Sequence, residues 1–191
     1  LPEADLIVAI ATPAAQAAFT ATKNKGIPVV FTAVSDPLGA KLVTNLKTPE
    51  GHVTGVSDFV SPELQFKFFM KLRPTLKTLG IVYNPGEDNS TALNKLMEKA
   101  AEEVGLKLVL AAASKTSDVM GASQSLCGKV DALFINNDNT ALSAFKSVVR
   151  AAEACGIPTF VSDLDVVDQG AFAALGPNQF ELGRQTARMV D

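Results

Sequence analysis

The chain has 191 residues, 47% of them hydrophobic and 19% charged, with a formal net charge of −3. That length allows one large domain or two small ones with a real buried core. The slightly acidic balance, with no basic patch, argues against nucleic acid as a partner, and no apolar run approaches the ~20 residues of a membrane span.

Short apolar runs alternate with helical patterns, which signals parallel α/β structure. Residues 5–11, "DLIVAIA", read as a strand. Thr12 then reads as a helix cap with Pro13 in the first helical position, the helix running to Gly26. "PVVFTAV" (28–34) and the shorter "VTGVSDF" (53–59) are the next strands. Ser61 and Pro62 start a helix with Leu64, Phe68, Phe69 and Leu72 on one face. "TLGIVYN" (78–84) is a strand, and Ser90 reads as the cap of a helix whose apolar stripe is Leu93, Leu96, Met97, Ala100 and Val104, ended by Gly105. "KLVLAAA" (107–113) is a strand, 117–127 a helix, "DALFIN" a strand, 140–155 a helix, and "PTFVSD" (158–163) and "GAFAALG" (170–176) are strands. Asn178 with Glu181 resembles a capping box for the last helix.

The motif inventory is sparse. His52 is the one histidine and stands alone in a loop, so no metal cluster is expected. There is no GxGxxG, P-loop or GxSxG, hence no cofactor fingerprint and no nucleophile–base pair. Cys127 and Cys155 each lie at a predicted helix end beside a glycine and read as two small buried hydrophobes. A disulfide between them requires Cα atoms within ~7 Å.

An internal echo suggests two lobes of similar build. "DLIVAIATPAAQAAF" (5–19) aligns without gaps to "DALFINNDNTALSAF" (131–145), and each helix leads to a "GIP", at Gly26 and Gly156. The expected division is a first lobe of 1–60 plus 170–191 and a second lobe of 61–169. The opening "LPEADLIVAI" runs almost directly into a strand, as in the middle of a larger protein, so the first lobe is expected to be partial.

In an open parallel sheet, ligands bind beyond the carboxyl ends of the strands. Those ends carry Thr12, Ala14 and Gln16; Ser35 and Asp36; Asn84, Glu87, Asn89 and Ser90; Asn136 to Thr140; and Ser162 and Asp163. Such residues are also ordinary helix caps and turn formers, but a cap needs one residue and "NNDNT" supplies five. The pattern suits a small zwitterion. The Thr12 hydroxyl and the amides of Ala14 and Ala15, at a helix N-terminus, suit a carboxylate, and Asp138 and Asp163 are the best-placed partners for an ammonium.

Taken in order, "DLIVAIATPAAQAA", "IPVVFTAVSDPLGAKLV", "HVTGVSD", "VYNPGEDNS", "DALFINNDNT" and "GAFAALGPNQFELGRQTA" resemble the substrate-binding proteins of ABC importers, in the tryptophan/tyrosine branch. The resemblance covers essentially the whole chain. It implies the type I periplasmic-binding-protein fold, with two Rossmann-like lobes and an amino-acid ligand, aromatic or apolar, in the cleft between them. It also implies docking to a membrane permease, an extracytoplasmic location, and two further strand–helix units upstream with a last crossover downstream. Carried over by position, Thr12, Ala14, Ala15, Gln16, Ala33 and Asp36 face the cleft from the first lobe; Asn84, Glu87, Asn89, Asn137, Asp138, Asn139, Ser162 and Asp163 face it from the second. Two other readings remain at this point: the ligand-sensing effector domain of a transcription regulator with the same fold, and an enzyme on a doubly wound fold.

Overall fold

The computed structural model describes residues 4–191. The chain divides into two compact units, one running up to Phe59 and resuming at Asn178, the other comprising Val60–Pro177.

Unit 1 is a three-stranded parallel sheet in the order β1 (Ile7–Ile10), β2 (Val29–Thr32), β3 (Val53–Gly55). Its core is Ala9, Val29, Phe31 and Val53 from the strands, Ala15 from helix α1 (Thr12–Thr22), and Val34, Leu42 and Val43 from the loop after β2. The last helix, α7 (Gln179–Val190), joins this unit. Thr186 on α7 donates a hydrogen bond to Thr32 at the end of β2, 2.8 Å. Among the described residues β1 pairs with β2 alone, and Val8 and Ile10 on it are 47% and 66% exposed. His52 is a fastener: its ring hydrogen-bonds to Thr22 at 3.0 Å and stacks on Phe19.

Unit 2 holds a five-stranded, wholly parallel sheet. The order is β5 (Lys107–Ala112), β4 (Thr78–Tyr83), β6 (Ala132–Ile135), β7 (Thr159–Val161), β8 (Ala173–Ala174). Helices cover both faces, and the strand alternation decides which residue meets which helix. Leu133 and Ile135 of β6 pack with Val119 of α4 (Val119–Gln124) and with Phe145, Val148 and Ala152 of α6 (Phe145–Ala154). Ala132 and Phe134 turn the other way, toward Phe66 and Phe69 of α2 (Pro62–Leu72) and Met97 of α3 (Asp88–Val104). Phe69 stacks on Phe160 at 4.2 Å between ring centroids and meets Phe134 edge-on at 4.9 Å. The chain runs from β4 outward to β5 and then returns to β6 on β4's other side. The strand order therefore reverses at β4 and β6, where such a fold opens a crevice beyond the carboxyl ends.

Several expectations are corrected. The strand expected at 170–176 in the first lobe is β8, and it belongs to unit 2. It pairs with β7 (Phe160 opposite Ala173, Val161 opposite Ala174), and Gln65 of α2 donates to the Leu175 carbonyl at 2.8 Å. Phe172 also packs edge-on against Phe160. These contacts move the second division from 170 to Pro177/Asn178. The helix expected at 117–127 is a 3-10 turn, Thr116–Asp118, followed by the short α4. The helix expected at 140–155 breaks at Ala144 into α5 (Asn139–Ser143) and α6. On α3 the buried face is Asn89, Ser90, Leu93, Asn94, Met97, Ala100 and Ala101, while Leu96 is exposed. Thr12, Ser61 and Ser90 cap nothing with their side chains: α1 begins after Ala11 and α3 after Glu87. Asn178 does cap α7, accepting from the Glu181 amide at 3.0 Å.

Cys127 and Cys155 are joined in a disulfide, with Cα atoms 5.6 Å apart, so they are not the two free hydrophobes that their surroundings suggested. The bridge ties the segment after α4 to the end of α6, on the side of unit 2 away from the β4 and β6 carboxyl ends.

Candidate functional site

In unit 2 the loops beyond β4 and β6 are knitted together by two buried carboxylates. Glu87, the residue before α3, accepts five hydrogen bonds: the Asn139 amide (3.0 Å) and side chain (2.6 Å), the Thr140 amide (3.0 Å) and hydroxyl (2.8 Å), and the Asn89 side chain (3.3 Å). Asp138, 2% exposed, accepts three: the Asn84 amide (2.6 Å), the Ser90 hydroxyl (2.5 Å) and the Ala141 amide (2.7 Å). Together they satisfy the first N–H groups of α5, the orphan donors that any helix start leaves.

Electrostatics follows from this packing. Burial pushes the Glu87 carboxyl up, but the hydrogen bonds from Asn139, Thr140 and Asn89 outweigh it and hold the group below its ordinary range. Asp138 goes the other way. Burial raises it, the bonds from Ser90, Asn84 and Ala141 only partly oppose this, and the Glu87 charge pushes in the same direction as burial.

The neutral side chains extend the network. Asn89 donates to the Asn137 carbonyl at 2.6 Å, and Ser162, beyond β7, donates to the Asn137 side-chain oxygen at 2.5 Å. Asn84 donates to the Thr140 hydroxyl at 2.8 Å. Three adjacent strand ends, β4, β6 and β7, thereby share one hydrogen-bonded floor. Asp163 caps the 3-10 turn Leu164–Gln169 through the Asp165 amide (2.9 Å) and stays partly exposed.

The candidates of unit 2 thus separate by role. Asn84, Asn137, Asn139 and Asp163 are partly exposed and placed to present polar atoms. Glu87, Asn89, Asp138 and Ser162 are buried. Asp138, read from the sequence as an ammonium partner, is buried here with three hydrogen bonds from the fold on its oxygens. Sequence reasoning took Ser90 for a cap and passed over Thr140 as a site residue, yet both are ties in this network.

In unit 1 the backbone is strained where the strands end. Ala11, after β1, has φ 70° and ψ 160°, and Ala33, after β2, has φ 53°. Both lie in regions that residues with a Cβ rarely enter. Helix α1 starts with no acidic residue in its first turn and no side-chain cap, which leaves early N–H groups such as that of Ala14 unserved by any side chain. Ala14 is exposed, and Thr12 is buried. Ala15 is wholly buried and its amide bonds to the Ala11 carbonyl at 3.0 Å, so the expected role of that amide is withdrawn. Gln16 reaches the Ala40 carbonyl at 3.3 Å, and Asp36 folds a turn by accepting from the Gly39 amide at 2.9 Å.

Among the described residues no group of histidine, cysteine, aspartate and glutamate is arranged to hold a metal ion. No helix of the described residues is long and apolar enough to cross a membrane.

With that geometry in place, comparison with known proteins is direct. The model of the ABC transporter substrate binding protein family matches residues 2–191. The chain belongs to this family. It is 37% identical over 186 residues to a tyrosine-binding protein of Clostridioides difficile (strain R20291), an alignment covering 97% of the chain and 53% of that relative. A solved conserved domain protein from Vibrio cholerae superposes with a TM-score of 0.94 at 42% identity, over 97% of this chain and 62% of the other. An ABC domain from Streptococcus pneumonia, solved in complex with L-Trp, superposes with a TM-score of 0.92 at 38% identity, over 97% of this chain and 64% of the other. The chain therefore spans between half and two thirds of the length of these proteins. Far more distant extracellular and periplasmic ligand-binding proteins share the fold alone, which is of the type I periplasmic-binding-protein kind.

Proposed function

We propose that this chain is part of the solute-capturing component of an ABC importer and that its ligand is an aromatic amino acid. The observation that carries the reading is the 38% identity, over nearly the whole chain, to a domain solved with L-Trp. The tyrosine-binding relative agrees in ligand class. The chemistry is retention: the loops beyond the strands offer amides, hydroxyls and the partly exposed carboxylates Asp36 and Asp163. Membership in a family of substrate-binding proteins supports a binding role without catalysis, with the membrane permease of the importer as the macromolecular partner.

Residue roles follow from exposure. In unit 1 the uncapped start of α1, at the exposed Ala14, suits the ligand carboxylate, with the buried Thr12 beneath it and Gln16, Ala33 and Asp36 as its neighbours. In unit 2 Asn84, Asn137, Asn139 and Asp163 contribute contacts, Asp163 to the ammonium. Glu87, Asn89, Asp138 and Ser162 support them from below. The disulfide supports an oxidising, extracytoplasmic compartment.

The test is a thermal-shift and calorimetric scan of the twenty amino acids. A ligand at about 100 times its Kd stabilises by about 2.7 kcal/mol. Tyrosine, tryptophan or phenylalanine is expected to give the largest shift, and a protein that responds to no amino acid ends the proposal.

A further inference from the structure

Asn94 lies one helical turn beyond Ser90 on the buried face of α3. The residue is 6% exposed, and its side-chain nitrogen has no hydrogen-bond partner in the protein. A buried donor without a partner is rare and costly. Asn94 also lines a small cavity of about 10 Å³ together with the apolar Val82 and Leu93 and the polar Ser90, Asn136 and Asp138.

We propose that this cavity holds one structural water molecule that accepts from Asn94 and donates to Asp138, tying α3 to the turn after β6. The size fits, because about 10 Å³ is the least room that holds one water molecule. The partners fit as well. Asp138 has three hydrogen bonds on a carboxylate with about four acceptor positions. The Asn136 side-chain nitrogen reaches only the Met97 sulfur, 3.4 Å away and a weak acceptor, which leaves it a proton to share. Water also donates and accepts, so it serves the Asn94 amide in either orientation. The inference is independent of the proposed ligand, since the water sits beneath the floor and not on it.

A high-resolution crystal structure of the protein decides it, paired with the Asn94→Leu variant. The expected result is a single spherical peak at about 2.6–3.2 Å from the Asn94 nitrogen and from one Asp138 oxygen, absent in the variant. Oxygen-17 relaxation dispersion is expected to lose one long-lived water in the same variant. A dry cavity in the wild-type map overturns the proposal. So does a peak at metal–oxygen distances, an Asn94 nitrogen bonded to a protein acceptor, or a peak that persists at full height in the variant. If Asn94→Leu does not fold, the wild-type map is sufficient by itself, because the peak is either there at those distances or it is not.

Discussion

Asp138 shows how a side chain's partners decide what its mutation reports. It is nearly unexposed and serves three donors from three elements. Asp138→Ala strands the Asn84 and Ala141 amides and the Ser90 hydroxyl, at about 1–3 kcal/mol for a buried group left unpaired. Removing a buried charge returns part of that, so the expected loss of stability is about 2–4 kcal/mol in urea denaturation. A loss below roughly 0.5 kcal/mol, the scale of a surface substitution, contradicts the network. Asp163 makes a different case, being partly exposed and bonded to one amide. Asp163→Asn is expected to weaken binding of the amino acid well beyond that of its deaminated analogue, by about 1.5–3 kcal/mol, the range for a hydrogen bond to a charged group. Equal losses in calorimetry remove the ammonium role. The sequence placed its candidate residues at the strand ends, because short polar side chains accumulate there beyond what capping needs, and the structure joins those after β4, β6 and β7 in one hydrogen-bonded network. It did not separate presenting residues from supporting ones, because "NNDNT" offers the same atoms whether they point outward or inward. Only the burial of Glu87 and Asp138 makes that division.

Elements are held by ties that respond to pH and to reduction. Glu87 binds α5 to the start of α3, and its carboxyl is depressed below the ordinary 4.5 because hydrogen bonds outweigh burial. Its contribution is therefore complete above 4.5 and lost as pH falls through the folded value. Asp131 acts in the same sense: the Lys77 and Thr78 amides hold it below 3.8 where it secures the start of β4. Asp138, raised above 3.8 by burial, has the opposite sign: its contribution is present at low pH and lost as pH rises through the folded value. Stability is thus expected to decline below about pH 4.5, less steeply in Glu87→Gln and more steeply in Asp138→Asn, as read from urea midpoints across the acid range. An unaltered acid limb in Glu87→Gln assigns it elsewhere. The Cys127–Cys155 bridge spans 28 residues, for which chain entropy gives about 3–4 kcal/mol; the double serine variant is expected to lose that much in urea. At this scale the sequence was legible wherever periodicity was strong, as in β4, β6 and α3. It misled at β8, whose short run carries no sign of which sheet it joins, and at α4, where a 3-10 turn replaces the first helical turn. Neighbours far away in the chain settle both.

The two units differ in how much of their structure is their own. Unit 2 is one contiguous stretch with helices on both faces of its sheet, two large core clusters and the disulfide. Residues 60–177 produced alone are expected to unfold in a single cooperative urea transition and to resist proteolysis; a molten or protease-sensitive product shows that unit 2 leans on the rest. Unit 1 is assembled from two pieces of chain. Its β2 is completed by α7 through the Thr186–Thr32 bond, 154 residues apart. That separation carries a cost in time. On a ribosome adding about 5–20 residues per second, β2 emerges roughly 8–30 s before the helix that covers it. Unit 2 lies wholly between the two pieces of unit 1 and emerges within that interval. Residues up to 59 therefore wait for a segment made long after them. Until α7 arrives, β2 has one side without its helix while nascent chains crowd around it, and the demand for a chaperone falls on residues up to 59.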